Sequence, residues 1–420
     1  MKENIPDVRP DYDKPNYDAN NIAPYTLEDP LTFLDGTKVA NAEEWQKRRQ
    51  EILDIFAKEM FGQEPPPPEE LVIDLVEEKS DALAGFAVRS QYKMYFRKDK
   101  TGPSVNWLVL RPRYAKKPVP PILFLNYRGN HELIYDEEVI IPDMWVRYNN
   151  HVPPKERGVM CDPNQNTYLP ISMILSVGYA VISASYGEVS SDPEPHNPNA
   201  GCMPESFAYN GVFELWGERD ESRTDNITAI GAWAWALSRG IDMVEKIPQL
   251  DAKKCILTGC SRLGKAALLA AARDERVWAC VPVQCGGGGA TLAKRDFGEN
   301  IATEMYYFPH WYCKAYKKYE RNPAQLLTFD QHLLVAAVAP RKLLIAGFDS
   351  PWFDTEGEYL ACRAAGCAWE LCSKEGFPDV PYPADYETSA IGRDFGYYRR
   401  SEEHGIAAFD WLQLLEFVKE

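Results

Sequence analysis

Six short runs of almost unbroken apolar residues, at 107–110, 121–125, 179–184, 255–258, 278–283 and 342–346, alternate with stretches of helical character. A strand that is apolar at every position, rather than at every second one, has to be covered on both faces. Strands separated by helices pair in parallel. The chain is therefore expected to form an α/β fold of three layers, a mostly parallel central sheet between helices. Helices are expected at 41–61, 172–178, 228–246, 262–273, 330–338 and 409–418. Residues 1–30, rich in Pro, Asn and Asp and without periodicity, read as an extended arm, with 31–420 as one domain. The four prolines 65–68 close the first helical segment. The polar, proline-containing stretch 187–210 reads as an insertion bordering a cleft, because loops at the C-terminal ends of parallel strands shape binding sites.

Charge and composition remove several classes of function. A formal net charge of −16 argues against binding nucleic acid phosphates or an anionic membrane surface. No apolar run approaches the roughly 18 residues that span a bilayer. The first 21 residues hold no apolar signal core. That leaves the compartment open: secreted or periplasmic if a signal peptide has been removed, otherwise cytoplasmic. The ten cysteines form no CxxC pairs, and Cys362, Cys367 and Cys372 recur every five residues within an apparent helix. They read as buried thiols, with a disulfide or two as the alternative. No His or carboxylate cluster has ligand spacing, so neither a metal nor an organic cofactor is expected. The glycine run 286–289 lacks a following Lys-Ser or Lys-Thr and is not a phosphate loop. With 11 Trp, 23 Tyr and 17 Phe, the chain has aromatic rings beyond what a core needs. Flat rings pack well on pyranose faces, which makes a sugar ligand a natural reading.

The strand 255–258 runs through Gly259-Cys260-Ser261-Arg262-Leu263-Gly264-Lys265 directly into a helical stretch. A serine at such a turn is the nucleophile elbow of α/β-hydrolases: the turn exposes Oγ, and the helix start offers N–H groups to an oxyanion. The usual pattern is G-x-S-x-G, whereas here Leu263 fills the second glycine position and Gly264 follows one residue late. In this fold the order is Ser, then an acid, then His. His404, just ahead of the last helix, is the histidine in that place and the expected general base.

These residues resemble the glucuronoyl esterases, carbohydrate esterase family 15. Besides 259–265, the likeness is carried by Asn126-Tyr127-Arg128-Gly129-Asn130-His131, Phe308-Pro309-His310-Trp311-Tyr312, Phe329-Asp330-Gln331-His332 and the spacing from His404 to Asp410-Trp411. The resemblance implies Ser261 as nucleophile, His404 as base and Arg262 as an oxyanion-stabilising guanidinium. It further implies Lys265, Glu299 and Trp352 as contacts to the glucuronoyl ring.

The catalytic acid is where the chain departs from that family. The position that carries Glu in many members reads Gln284, which cannot stabilise an imidazolium by charge and is grouped here with the substrate-contacting residues. Some bacterial members place an acid after the next strand, two residues before a Trp, and here that residue is Ser350. Asp349, one position earlier, is the leading candidate acid; Asp354, Glu402, Glu403 or no acid at all are the alternatives. Cys285, outside any elbow, reads as a buried thiol rather than a second nucleophile. The resemblance implies a serine esterase acting on (4-O-methyl)glucuronoyl esters that link glucuronoxylan to lignin alcohols; a monomer is expected, though sequence does not decide the oligomeric state. An acetylxylan esterase, or a catalytically weak carbohydrate-binding relative, are the competing readings.

Overall fold

A computed structural model of the chain describes residues 9, 11–146, 152–382, 389–401 and 403–419. Ten strands form one sheet: β1 (Val72–Asp81), β2 (Ala87–Tyr95), β3 (Ser104–Pro112), β4 (Pro121–Asn126), β5 (Ala180–Ser185), β6 (Cys255–Cys260), β7 (Val277–Val283), β8 (Lys342–Phe348), β9 (Ser389–Ile391) and β10 (Phe395–Arg400). Their order is β1-β2-β3-β5-β4-β6-β7-β8-β10-β9. The block from β5 to β10 is parallel, and antiparallel strands flank it on both sides.

The apolar runs are strands because both faces of the sheet are covered. Leu123, Ile182, Leu257 and Ile345 point into one core, with the helices α1 (Ala42–Phe56), α2 (Ala229–Val244) and α3 (Arg262–Arg273). Ile122, Val181, Ile256 and Leu344, their chain neighbours, point into a second core closed by α4 (Ala408–Phe417). Successive side chains of a strand face opposite ways, so only a sheet between two helical layers leaves every position dry. This is the three-layer α/β-hydrolase architecture.

The expected helix at 41–61 ends its α-helical part at Phe56 and continues as a π-helical turn, Ala57–Phe61. The apparent helix around Cys362 is two, Thr355–Ala365 and Cys367–Leu371, and all ten cysteines are free thiols, six of them buried. The arm residues lie against 294–300: Gly298 N–H donates to Asn16 O at 2.8 Å, and Lys294 Nζ to Thr26 O at 2.9 Å. No helix of the described residues is long and apolar enough to cross a membrane.

Candidate active site

Ser261 stands between β6 and α3 at φ 58°, ψ −128°. Such a conformation costs a non-glycine residue roughly 1–3 kcal/mol and persists only where its surroundings impose it. Here Ser261 N–H donates to Val283 O on β7 at 2.9 Å, and Ser261 O accepts from Lys265 N–H at 2.9 Å. The displaced glycine has a packing cause. Leu263 is 1% exposed, part of the helical-side core. A Cβ on Gly264, by contrast, would sit 2.9 Å from Val283 O and 3.0 Å from Gly259 O. The helix therefore touches β7 at residue 264, and it is there that a side chain is forbidden.

His404 follows β10 and finds its partner on β7's exit. Its Nδ1 lies 2.5 Å from Gln284 Oε1, and that oxygen also accepts Gly405 N–H at 2.9 Å. The peptide N–H can only donate, which fixes the amide orientation. An oxygen facing Nδ1 requires Nδ1 to carry the proton, leaving Nε2 as the basic nitrogen. The imidazole stands between Phe348 and Phe353, at ring-centroid distances of 5.6 and 5.0 Å. Although the residue as a whole is exposed, loss of water around the ring, then the charges of Arg262, Arg400 and Lys265, push its pKa down to about 4.

Gln284, expected among the substrate-contacting residues, is fully buried, at φ 51°, with its N–H donating to Ala346 O at 2.6 Å, and its side-chain oxygen faces the histidine. One expectation from sequence is corrected here. Asp349 is not brought to His404. Its N–H donates to Arg400 O and its carboxylate faces Arg399 at 3.6 Å, partly exposed. The cause is the strand exit: β8 and β10 run side by side, so residue 349 turns toward the β10 arginines. Of the alternatives, Asp354 caps the helix Thr355–Ala365 and pairs with Arg295 at 2.7 Å, Glu403 is exposed, and Glu402 lies outside the described residues. Among the described residues no carboxylate pairs with His404.

Arg262 is 7% exposed and packs over Phe308 and Trp311, at 4.9 and 4.6 Å from the ring centroids. Its Nη1 is bound to Asp192 Oδ2, and its buried Nε has no partner. Asp192 accepts in turn from His310 Nε2 and Trp311 Nε1, each at 2.8 Å through Oδ1. Trp311 therefore supports the guanidinium rather than facing a ligand, being 1% exposed.

Lys265 Nζ donates to Gly287 O at 2.5 Å, Glu299 Oε2 at 2.8 Å and Glu304 Oε1 at 3.0 Å. Burial opposes its charge, but Glu299 and Glu304 outweigh burial and raise its pKa. Burial raises Glu304 in turn, against the pull of Lys265. Glu299 and Trp352 do stand together: Glu299 N–H donates to Trp352 O at 2.7 Å, and the indole is half-buried. The glycine run is what permits this packing, since a Cβ on Gly287 would lie 2.2 Å from Glu299 O. Cys285 is fully buried, and burial pushes its thiol up.

Sequence reasoning missed Asp192 and Glu304. Asp192 lies in the stretch 187–210, beyond the C-terminal end of β5, and that position was its only signal. Glu304 had none.

The family model "Glucuronyl esterase, fungi" matches residues 197–373. Carbohydrate esterase MZ0003, from an unknown prokaryotic organism, is 33% identical over 415 residues, covering 96% of this chain and 91% of that protein. A 4-O-methyl-glucuronoyl methylesterase from Schizophyllum commune is 26% identical over 84% of this chain and 76% of its own length. The solved glucuronoyl esterase from Solibacter usitatus superimposes with a TM-score of 0.86 at 32% identity, covering 96% of this chain and 99% of that one. Since the likenesses to MZ0003 and to the Solibacter usitatus enzyme each exceed 30% identity and span nearly the whole chain, it belongs to the glucuronoyl esterases, carbohydrate esterase family 15.

Proposed function

We propose that the chain is a serine esterase that hydrolyses (4-O-methyl)glucuronoyl esters joining glucuronoxylan to lignin alcohols, working with an amide where other triads hold an acid. Ser261 Oγ attacks the C6 carbonyl and gives its proton to His404 Nε2. Gln284 Oε1 accepts from Nδ1–H and keeps that tautomer in place. The oxyanion is held by Arg262 and by the unpaired N–H groups at the start of α3. His404 then protonates the departing alcohol, and water, activated by the same nitrogen, cleaves the glucuronoyl-enzyme ester to release the free acid. Glu299, with one oxygen fixed by Lys265, accepts from a ring hydroxyl through the other, and Trp352 packs on the ring.

The observation that carries this reading is the joining, at one sheet end, of a strained Ser261, a guanidinium with a free buried N–H, and the Lys265–Glu299 pair beside Trp352. Turnover of methyl glucuronate, set against release of acetate from acetylated xylan, is the test. Methyl glucuronate should be the better substrate, and Ser261→Ala should lower its kcat by about 10³-fold or more. Preference for acetyl esters would defeat the assignment. Gln284 favours one rival, a weakly catalytic binding protein. That rival stands if Ser261→Ala leaves hydrolysis unchanged while uronic oligosaccharides still bind.

A further inference from the structure

The stretch 296–300, which carries Glu299, has no helix or strand of its own. It joins the short turn Ala293–Arg295 to the helix Ile301–Tyr307, and two of its residues, Asp296 at φ 46° and Gly298 at φ 63°, are left-handed. Such a backbone keeps its course only where neighbours impose it. On one side the neighbour is the segment with Trp352, whose carbonyl accepts Glu299 N–H at 2.7 Å. The fit there is tight, since a Cβ on Gly298 would lie 2.4 Å from Pro351 O. On the other side the neighbour is the N-terminal arm. Gly298 N–H donates to Asn16 O at 2.8 Å, Arg9 Nε donates to Asp296 Oδ2 at 3.3 Å, and Tyr17 meets Phe297 edge-on with ring centroids 6.4 Å apart. The arm is itself anchored where the Arg321 guanidinium stands over the Tyr12 ring at 5.1 Å.

Asn300 ties these contacts together. It is 4% exposed. Its Oδ1 accepts Thr303 N–H at 2.9 Å and so caps the helix that bears Glu304. Its Nδ2 faces Lys14 O at 3.1 Å and Tyr12 O at 3.3 Å, both on the arm, and Asp296 Oδ1 at 2.9 Å. One amide thus joins the arm, the left-handed Asp296 and the helix start. It follows Glu299 in the chain and precedes Glu304 by one helical turn, and these are the two carboxylates that hold Lys265. A hydroxyl hydrogen bond spans about 2.5–3.0 Å, so a displacement of about 1 Å at Glu299 forfeits one.

We propose that Asn300 is a positioning residue for substrate binding: through it the N-terminal arm holds the stretch 296–300 and sets Glu299 where a ring hydroxyl of the uronate can donate to it. The inference rests on the reading of Glu299 as a sugar contact. The test measures kcat and KM for methyl glucuronate in Asn300→Ser, Arg9→Ala and Glu299→Gln, alone and in pairs with the last. Serine keeps a capping oxygen and lacks the amide that reaches the arm. Arg9→Ala loosens the arm without touching the helix, and carries the test should Asn300→Ser fold poorly. In Glu299→Gln, Lys265 takes the single amide oxygen and no acceptor is left for the ring. Asn300→Ser and Arg9→Ala should each raise KM by about 3- to 10-fold, the worth of one hydrogen bond, with kcat unchanged. In the Glu299→Gln background neither should raise it further, whereas a general loosening of the fold would act there as well. KM unmoved by Asn300→Ser and Arg9→Ala while Glu299→Gln raises it, or an undiminished effect in the Glu299→Gln background, overturns the positioning role alone. KM unmoved by Glu299→Gln overturns the sugar contact and the positioning role together.

Discussion

At the scale of single residues the decisive contact is between His404 and Gln284. A carboxylate beside an imidazole raises its pKa, whereas an amide supplies the hydrogen bond without the charge. His404 is a base only when neutral, and it loses that role as pH falls through its own pKa. With that value pushed down to about 4, the acid limb of kcat/KM should lie near pH 4, so activity persists in mildly acidic solution. Gln284→Glu should move the limb up toward the ordinary imidazole range and raise kcat by at least about 10-fold, because replacing a triad acid by its amide costs up to about 10⁴. Asp349→Asn, touching Arg399 at 3.6 Å, should shift neither quantity. A limb that stays in place in Gln284→Glu, or moves in Asp349→Asn, sinks this account. A second prediction concerns Asp192, which holds the guanidinium of Arg262. Asp192→Asn should lower kcat by about 10²-fold, in the range of losing one oxyanion donor. In an Arg262→Ala background it should add little; an undiminished effect there would mean Asp192 acts some other way. The strained turn at Ser261 and the place of His404 after the last parallel strand were legible from turn chemistry and chain order. Asp192 was not, because 70 residues separate it from the arginine it anchors. The acid was misplaced for a related reason: sequence offers carboxylates by proximity, while the fold aims residue 284 at the imidazole and residue 349 away from it.

At the scale of elements, the elbow is a contact between helix and strand before it is a motif. The spacing of Gly259 and Gly264 follows from where α3 meets β7, and Leu263 anchors the turn from the core side. Restoring the usual pattern by Leu263→Gly should therefore be harmful. It removes a fully buried leucine, roughly 2–5 kcal/mol, and adds a flexible residue to the first helical turn. Thermal unfolding should show a clearly lower Tm, with activity reduced; an unchanged Tm would refute the packing explanation. The apolar strands β4 to β8 and the helix Arg262–Arg273 were readable because their environment is uniform and dry. The strands β1, β2 and β10 were not. β1 is a flanking strand, with half of its ten residues exposed. β10 ends in Arg399-Arg400, and Arg400 is buried with its guanidinium engaged by Asp410 of α4 at 2.9 Å and by the carbonyls of Glu403 and Gly405. A charged pair closed between a strand end and the following helix, ten residues on, cancels the polarity that sequence patterning relies on.

At the scale of the whole molecule, a formal charge of −16 surrounds a site whose cations are buried in acidic company. The ester substrate is neutral at the reacting group, but a glucuronoxylan chain also carries free uronic acids, and the product is an anion. Long-range repulsion should therefore slow encounter with the polymer and leave a small neutral ester untouched. The Debye length falls from about 30 Å at 0.01 M salt to about 8 Å at 0.15 M, short enough to screen the surface but not the buried Lys265–Glu299 pair. Raising salt across that range should increase kcat/KM on uronate-rich xylan severalfold, through KM rather than kcat, with no change on methyl glucuronate. An attractive basic surface would give the opposite sign on the polymer. A parallel change on both substrates would instead place the effect inside the site. The contrast between the two substrates thus separates the charge of the molecule from the charge of its pocket, which composition alone had merged into one number.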